Sequence, residues 1–301
     1  MMPRYALFLT AIVTLLGIQS ASADVKLDVV ATFSILGDFV KNVGGDRVFV
    51  NTLVGPNGNT HVYTPSPSDA KKLADANVIV VNGLGLEGWL DRLIKVSGTK
   101  APIIVATDGI KPRESAAKAS DDEGHGRTDP HAWQAVANAK TYVENIRNGL
   151  VAADPEGRAT YEENARKYLV RLDQLDRDVR STISAIPSDK RLIVTNHRAF
   201  GYFEQEYGIK FASPQGVSAE AEPSAKGMAS IITSIRQSNA PAVFLENITD
   251  PRLVEQVATE AGVKIGGTLY SDALTDEKGE APTYIDLVRH NLRQLSSALS
   301  N

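Results

Sequence analysis

The sequence predicts an α/β protein built as two lobes with mostly parallel sheets, joined by a single long backbone helix. Three observations carry that prediction. Short runs rich in Val, Ile and Phe alternate with helical patterns, which is how βα units with a parallel sheet read. The second half of the chain repeats the plan of the first. Between the halves lies the most regular segment, an apolar stripe running from Tyr161 to Ile183.

The first residues read as a leader. Arg4 is followed by an uncharged, mostly apolar run, Tyr5–Ile18, which is shorter than the ~20 residues a spanning helix needs. Ala21-Ser22-Ala23 then offers the small-residue pattern that signal peptidase accepts. Residues 1–23 are therefore expected to be a signal peptide, and the mature chain to begin at Asp24. The N-terminal α/β lobe, residues 24–153, should hold strands Val25–Ala31, Arg47–Leu53, Val78–Val81 and Ile103–Ala106. Helices Ile35–Val43, Ser68–Ala76 and Leu86–Val96 fall between them.

Asp154-Pro155 is a good helix start, an N-cap followed by proline at the first helical position. From there Tyr161, Ala165, Tyr168, Leu172, Leu175, Val179 and Ile183 recur at spacings of four or three, and Pro187 ends the pattern. The linking helix, residues 154–186, would be ~40 Å long at ~1.5 Å per residue, enough to act as a rigid spine. The C-terminal α/β lobe, residues 187–301, should hold strands Leu192–Thr195, Ile209–Phe211, Val243–Leu245 and Lys264–Leu269. Its helices fall near Arg198–Tyr207, Ala225–Gln237, Pro251–Ala261 and Tyr284–Leu299. Lys111–Pro130 has no large apolar residue and mixes charge with Gly and Ser, so it reads as a solvated, mobile loop.

Composition narrows the function. A formal net charge of −4 with no basic stripe argues against nucleic acid or an anionic membrane as partner. Cysteine is absent. No disulfide can staple the fold, so two full hydrophobic cores are expected to hold it, and no cysteine follows the leader to carry a lipid anchor. A freely diffusing exported protein fits the bacterial periplasm.

There are five histidines. His61 follows Arg47–Leu53 across Gly55-Pro56-Asn57-Gly58-Asn59, a run of turn formers. His131 sits where the Lys111–Pro130 loop ends and a helix begins. His197 follows Leu192–Thr195 within two residues, and Asp272 follows Lys264–Leu269 in Tyr270-Ser271-Asp272. In open α/β sheets ligands bind outside the carboxyl ends of the strands. Three imidazoles and a carboxylate at such positions, two from each half, could close one four-coordinate site across a cleft. Zinc takes such ligands at ~2.0–2.2 Å. Taken singly, a loop histidine is more often a solvated or satisfied hydrogen-bonding group, and Asp272 a turn cap. His290, on the last helix between Arg289 and Asn291, reads as a surface residue. Trp89 and Trp133 read as core, with Trp133 close to His131.

The sequence resembles the zinc and manganese substrate-binding proteins of bacterial ABC importers. The likeness starts at Ala31-Thr32-Phe33-Ser34-Ile35-Leu36 and runs through Val43-Gly44-Gly45-Asp46, Gly55-Pro56 and His61-Val62-Tyr63-Thr64-Pro65. It continues in Asp129-Pro130-His131-Ala132-Trp133 and in Thr195–Phe203, and ends with Glu246-Asn247 and Gly267–Asp272. The resemblance implies a metal buried between two lobes, with His61, His131, His197 and Asp272 as its ligands. It also implies a membrane permease as partner, with a periplasmic metallochaperone as a second, and a monomeric protein that is not an enzyme. Many zinc-specific relatives carry a His-rich loop where Lys111–Pro130 holds only His125, and many manganese-specific ones have glutamate where this chain has His197. Three imidazoles favour Zn2+ as the transported ion, with Mn2+ (or iron) as the alternative. A zinc-dependent hydrolase is the rival of another class. It would need an open coordination position and a general base, and no Glu adjoins a candidate ligand.

Overall fold

The computed structural model describes residues 26–114, 128–217, 225–238 and 242–299. The expected signal peptide, and His125 with most of its loop, lie outside them. The elements run β1 (Leu27–Phe33), α1 (Ser34–Gly44), β2 (Val48–Val54), α2 (Pro67–Asp75), β3 (Val78–Val81), α3 (Leu90–Ser97), β4 (Ile103–Val105), β5 (Arg113–Glu114), β6 (Thr128–Asp129), α4 (Val136–Ala153) and α5 (Arg158–Ala185). The second lobe follows with β7 (Leu192–Val194), α6 (Gly201–Tyr207), β8 (Lys210–Ala212), α7 (Ala225–Ser238), β9 (Ala242–Glu246), α8 (Arg252–Ala261), β10 (Lys264–Leu269) and α9 (Tyr284–Leu299).

Each lobe is a four-stranded parallel sheet, β2-β1-β3-β4 in the first and β10-β9-β7-β8 in the second. Counted within its own lobe, each sheet has the order 2-1-3-4. The strand order reverses beside the first strand in both, and there loops part to leave a crevice at the carboxyl ends. The short ladder β5–β6 is antiparallel and closes the two ends of the Lys111–Pro130 loop.

The linking helix forms as its stripe predicts. Its buried residues are Tyr161, Ala165, Tyr168, Leu172, Leu175, Val179 and Ile183. Asp154 caps a 3-10 turn over Pro155–Gly157 by accepting from Gly157 N, and it also binds Arg47 and the Tyr161 hydroxyl. The α-helix proper has 28 residues, about 42 Å. Burial of each larger side chain on that face contributes about 1.5–3 kcal/mol.

The core differs from the expectation of one per lobe. A single cluster runs from β1, α1 and α4 through the buried face of α5 to α6, β9 and α9. Two smaller clusters lie elsewhere, one among β1, β3 and α3 and one among β7, β9, α7 and α8. α5 is therefore the middle of one interior rather than a bridge between two.

Two helices start later than their periodicity predicts, because the chain commits the preceding amides elsewhere. α3 begins at Leu90, not Leu86. The Glu87 carboxylate turns back to accept from Asn82 N and Gly83 N, and Gly83, Leu84 and Gly85 all have left-handed φ. α6 begins at Gly201, not Arg198, because Arg198 N donates to Gly216 O and Ala199 N to His197 O.

Candidate metal centre

The four candidate side chains leave the carboxyl ends of strands, two from each lobe. His61 lies seven residues beyond the end of β2, after a turn in which Asn57 adopts φ 55° and Gly58 N donates to Gly55 O. Asn59 Oδ1 accepts from His61 N at 2.9 Å, and Trp89 Nε1 donates to Thr60 O at 3.0 Å, so the loop is held on both sides. His131 follows β6 and opens the 3-10 turn Ala132–Gln134. Asn82 Nδ2 donates to Pro130 O beside it at 3.0 Å. His197 follows β7, and Thr195 Oγ1 donates to its carbonyl at 3.1 Å. Asp272 follows β10. Tyr270, two residues before it, exchanges two 2.8 Å hydrogen bonds between its main chain and the Asn291 side-chain amide of α9.

The side chains meet between the lobes. The Nε2 atoms of His61 and His131 are 3.2 Å apart, and each lies near Asp272 Oδ2, at 3.2 and 3.5 Å. His197 Nε2 is 3.2 Å from the same oxygen. All four donor atoms lie within 4.8 Å of one another. A tetrahedral shell with bonds of ~2.0–2.2 Å has edges of roughly 3.3–3.6 Å, close to the four separations of 3.2 to 3.5 Å. His131, His197 and Asp272 are fully buried, and His61 is 6 % exposed.

Burial and charge act against each other here. Burial lowers the pKa of His61, and Asp272 only partly offsets this. For His131, burial is outweighed by Asp272 and Asp129, and the pKa rises. For His197 the carboxylates of Glu246 and Asp272 raise it well above its ordinary value in spite of burial. Burial would raise the Asp272 pKa, but His131 and His197 hold it well below the carboxylate range. The pocket is built to hold positive charge.

Two carboxylates that the sequence reading did not single out as site residues sit behind the histidines. Asp129 Oδ1 faces both His131 N at 3.1 Å and His131 Nδ1 at 2.9 Å. Glu246 Oε1 accepts from His197 N at 2.9 Å, and its Oε2 lies 2.6 Å from His197 Nδ1. Asp129, two residues before His131, was open to discovery from spacing; Glu246, 49 residues from His197, was not. Trp133 is buried, as expected, with its ring 5.2 Å from that of His131. Its Nε1 and Gln134 Nε2 both donate to Ser271 O, at 2.9 and 2.7 Å, fastening the peptide before Asp272 to the first lobe.

His290 is not a surface residue. It is 2 % exposed, its Nε2 lies 2.9 Å from Thr268 O, and its ring packs edge-on against Tyr270. It braces β10 and takes no place among the four donors.

Four enclosed protein donors, with the nearby carboxylates of Asp129 and Glu246 turned to the far side of the histidine rings, suit the capture of a cation rather than its use in a reaction. The fold and site define the class, a two-lobed binding protein that encloses its cargo. The chain belongs to the family described as zinc-uptake complex component A, periplasmic, whose sequence profile matches residues 29–298. It is 36 % identical over 263 residues to the iron-binding protein YfeA of Yersinia pestis, covering 87 % of this chain and 83 % of that one. It is 35 % identical over 274 residues to the manganese-binding lipoprotein MntA of Halalkalibacterium halodurans, covering 91 % and 89 %. Among solved structures, the periplasmic zinc binding protein TroA from Treponema pallidum matches with a TM-score of 0.85 at 30 % identity, over 92 % of this chain and 100 % of that one. The chain is thus an extracytoplasmic metal-binding component of an ABC importer, a transport protein and not an enzyme, and its partner is a membrane permease.

Proposed function

We propose that this protein captures one divalent transition metal, zinc by preference, on His61, His131, His197 and Asp272 and hands it to the permease. The observation that carries this reading is the convergence of the four donor atoms to within 4.8 Å in a buried site. Zinc follows from the donors: neutral imidazole suits it, and zinc stands above manganese in the usual affinity order. Manganese is the second reading, favoured by the name of the MntA relative. YfeA is named for iron and TroA for zinc.

Chelator competition with zinc and with manganese tests both parts. Replacing any one of the four by Ala should weaken zinc binding by more than the roughly 10–100-fold that loss of an outer hydrogen-bonding partner costs. A His197→Ala protein that binds zinc as tightly as the parent ends the site assignment. The His197→Glu substitution should narrow the ratio of zinc to manganese affinity, because carboxylate suits manganese better than imidazole does. A parent that already prefers manganese gives the second reading its place.

A further inference from the structure

Glu246 ends β9 and reaches His197 from behind. It is 4 % exposed; its Oε1 accepts from the main-chain N–H of His197 at 2.9 Å, and its Oε2 lies 2.6 Å from ring Nδ1, an ion-pair contact off the line of a hydrogen bond in which neither atom has a hydrogen-bond partner among the described residues. An ionised carboxylate only accepts, so each oxygen can face an N–H. A neutral imidazole carries hydrogen on one nitrogen and a lone pair on the other. With the carboxylate Oε2 at 2.6 Å, a neutral ring is favoured with its hydrogen on Nδ1, where a small turn of the ring or the carboxylate makes the hydrogen bond. In the neutral form that binds metal, Nε2 then keeps its lone pair on the side of Asp272 Oδ2, 3.2 Å away, where the other donors converge.

The geometry points to Glu246 as a positioning residue for metal capture, one that fixes the His197 tautomer by offering a separate oxygen to each of its two N–H groups. This deepens the function proposed above and rests on it for the ligand role of His197.

Asp129 supplies the contrast within the same site. It holds His131 at the same two places but with one oxygen, Oδ1, while Oδ2 is turned toward Arg113 Nη1 at 3.2 Å. In Asp129→Asn the amide oxygen can stand at the Oδ1 position and keep both contacts, leaving the NH2 toward part-exposed Arg113. In Glu246→Gln no orientation keeps both. With oxygen on the main-chain N–H, the NH2 faces Nδ1 and favours hydrogen on Nε2, which blocks the metal. With the amide flipped, the buried N–H of His197 faces a donor and loses its acceptor.

The test is the zinc dissociation constant of the full chain by chelator competition, for the parent, Glu246→Gln and Asp129→Asn. Glu246→Gln should bind about 100-fold more weakly, at the upper end for such partners, and Asp129→Asn less than about tenfold. Glu246→Gln binding as tightly as the parent overturns the inference. Equal losses in the two variants also overturn it, because the lost charge rather than the number of acceptors would then be the cause. A measurement that needs no variant is a 15N-resolved spectrum of the zinc-loaded parent. It should show His197 with hydrogen on Nδ1 and metal on Nε2, and metal on Nδ1 refutes the role of Glu246. A parent that takes up no stoichiometric zinc, or a His197→Ala protein that binds like the parent, overturns the ligand reading itself. That result is distinct from loss confined to Glu246→Gln.

Discussion

At the scale of single residues, the site trades protons for metal. The His131 and His197 pKa values are raised by facing carboxylates, which outweigh burial, so without metal these imidazoles tend to be charged. Their charged pairs contribute stability that is fully present below the unfolded value of ~6.5 and is lost as pH rises through the higher folded value. Metal needs the neutral ring and must displace those protons. Zinc affinity should therefore climb with pH from about 6 and level off only above the unperturbed imidazole pKa. The gain in melting temperature on adding zinc should grow over the same window. Dissociation constants by competition at fixed ionic strength would show it, and a flat profile across that window would count against charged histidines in the metal-free site.

At the scale of elements, two contacts carry separate predictions. α9 starts with Tyr284, whose N–H donates to Asp38 Oδ2 on α1 at 3.0 Å, while the Tyr284 hydroxyl donates to Trp133 O at 2.6 Å. Burial raises the Asp38 pKa, with the Tyr284 and Tyr168 hydrogen bonds opposing it. Asp38→Ala leaves the Tyr284 amide without its acceptor and should cost about 1–3 kcal/mol in denaturant unfolding. The ladder β5–β6 pairs Glu114 with Thr128, so replacing residues 115–127 by Asn-Gly should close it as a two-residue hairpin with zinc affinity unchanged. Weaker equilibrium binding by that protein would place a group from the loop in the primary site. The stripe on α5 was legible because a long period-3.6 pattern overrides local ambiguity. α4, an 18-residue helix, was foreseen only as a start at His131, since Ala, Asn and Lys dilute its apolar positions. Of the candidate donors, His197 and Asp272 stood out in the sequence because each follows a predicted strand within three residues, whereas His61 and His131 sit in longer loops and were singled out by residue type and by the family resemblance. His290 was misread because the flanking Arg289 is polar, yet the helix turns His290 inward, and Asn291 with it, to brace β10.

At the scale of the whole molecule, both lobes share one interior along α5. Cooperative unfolding follows from that continuity. Calorimetry should show one transition whose calorimetric and van't Hoff enthalpies agree. Two resolved transitions would mean that the lobes hold together independently. Zinc at about 100 times its dissociation constant should add about 2.7 kcal/mol to the same single transition.

The shared interior also sets how stiff the protein is. A jaw that swings on a flexible strap can gape without disturbing what is packed inside each half. Here any wide rotation would have to tear α1 and α4 or α6 and α9 away from the same helix, exposing side chains that are now dry. Cargo exchange is therefore expected to leave α5 packed and to act through the turns that carry His61, His197 and Asp272 past the strand ends. Small-angle scattering of the metal-free and zinc-loaded protein should give nearly superimposable profiles, while hydrogen exchange quickens on metal removal around those turns and not along α5.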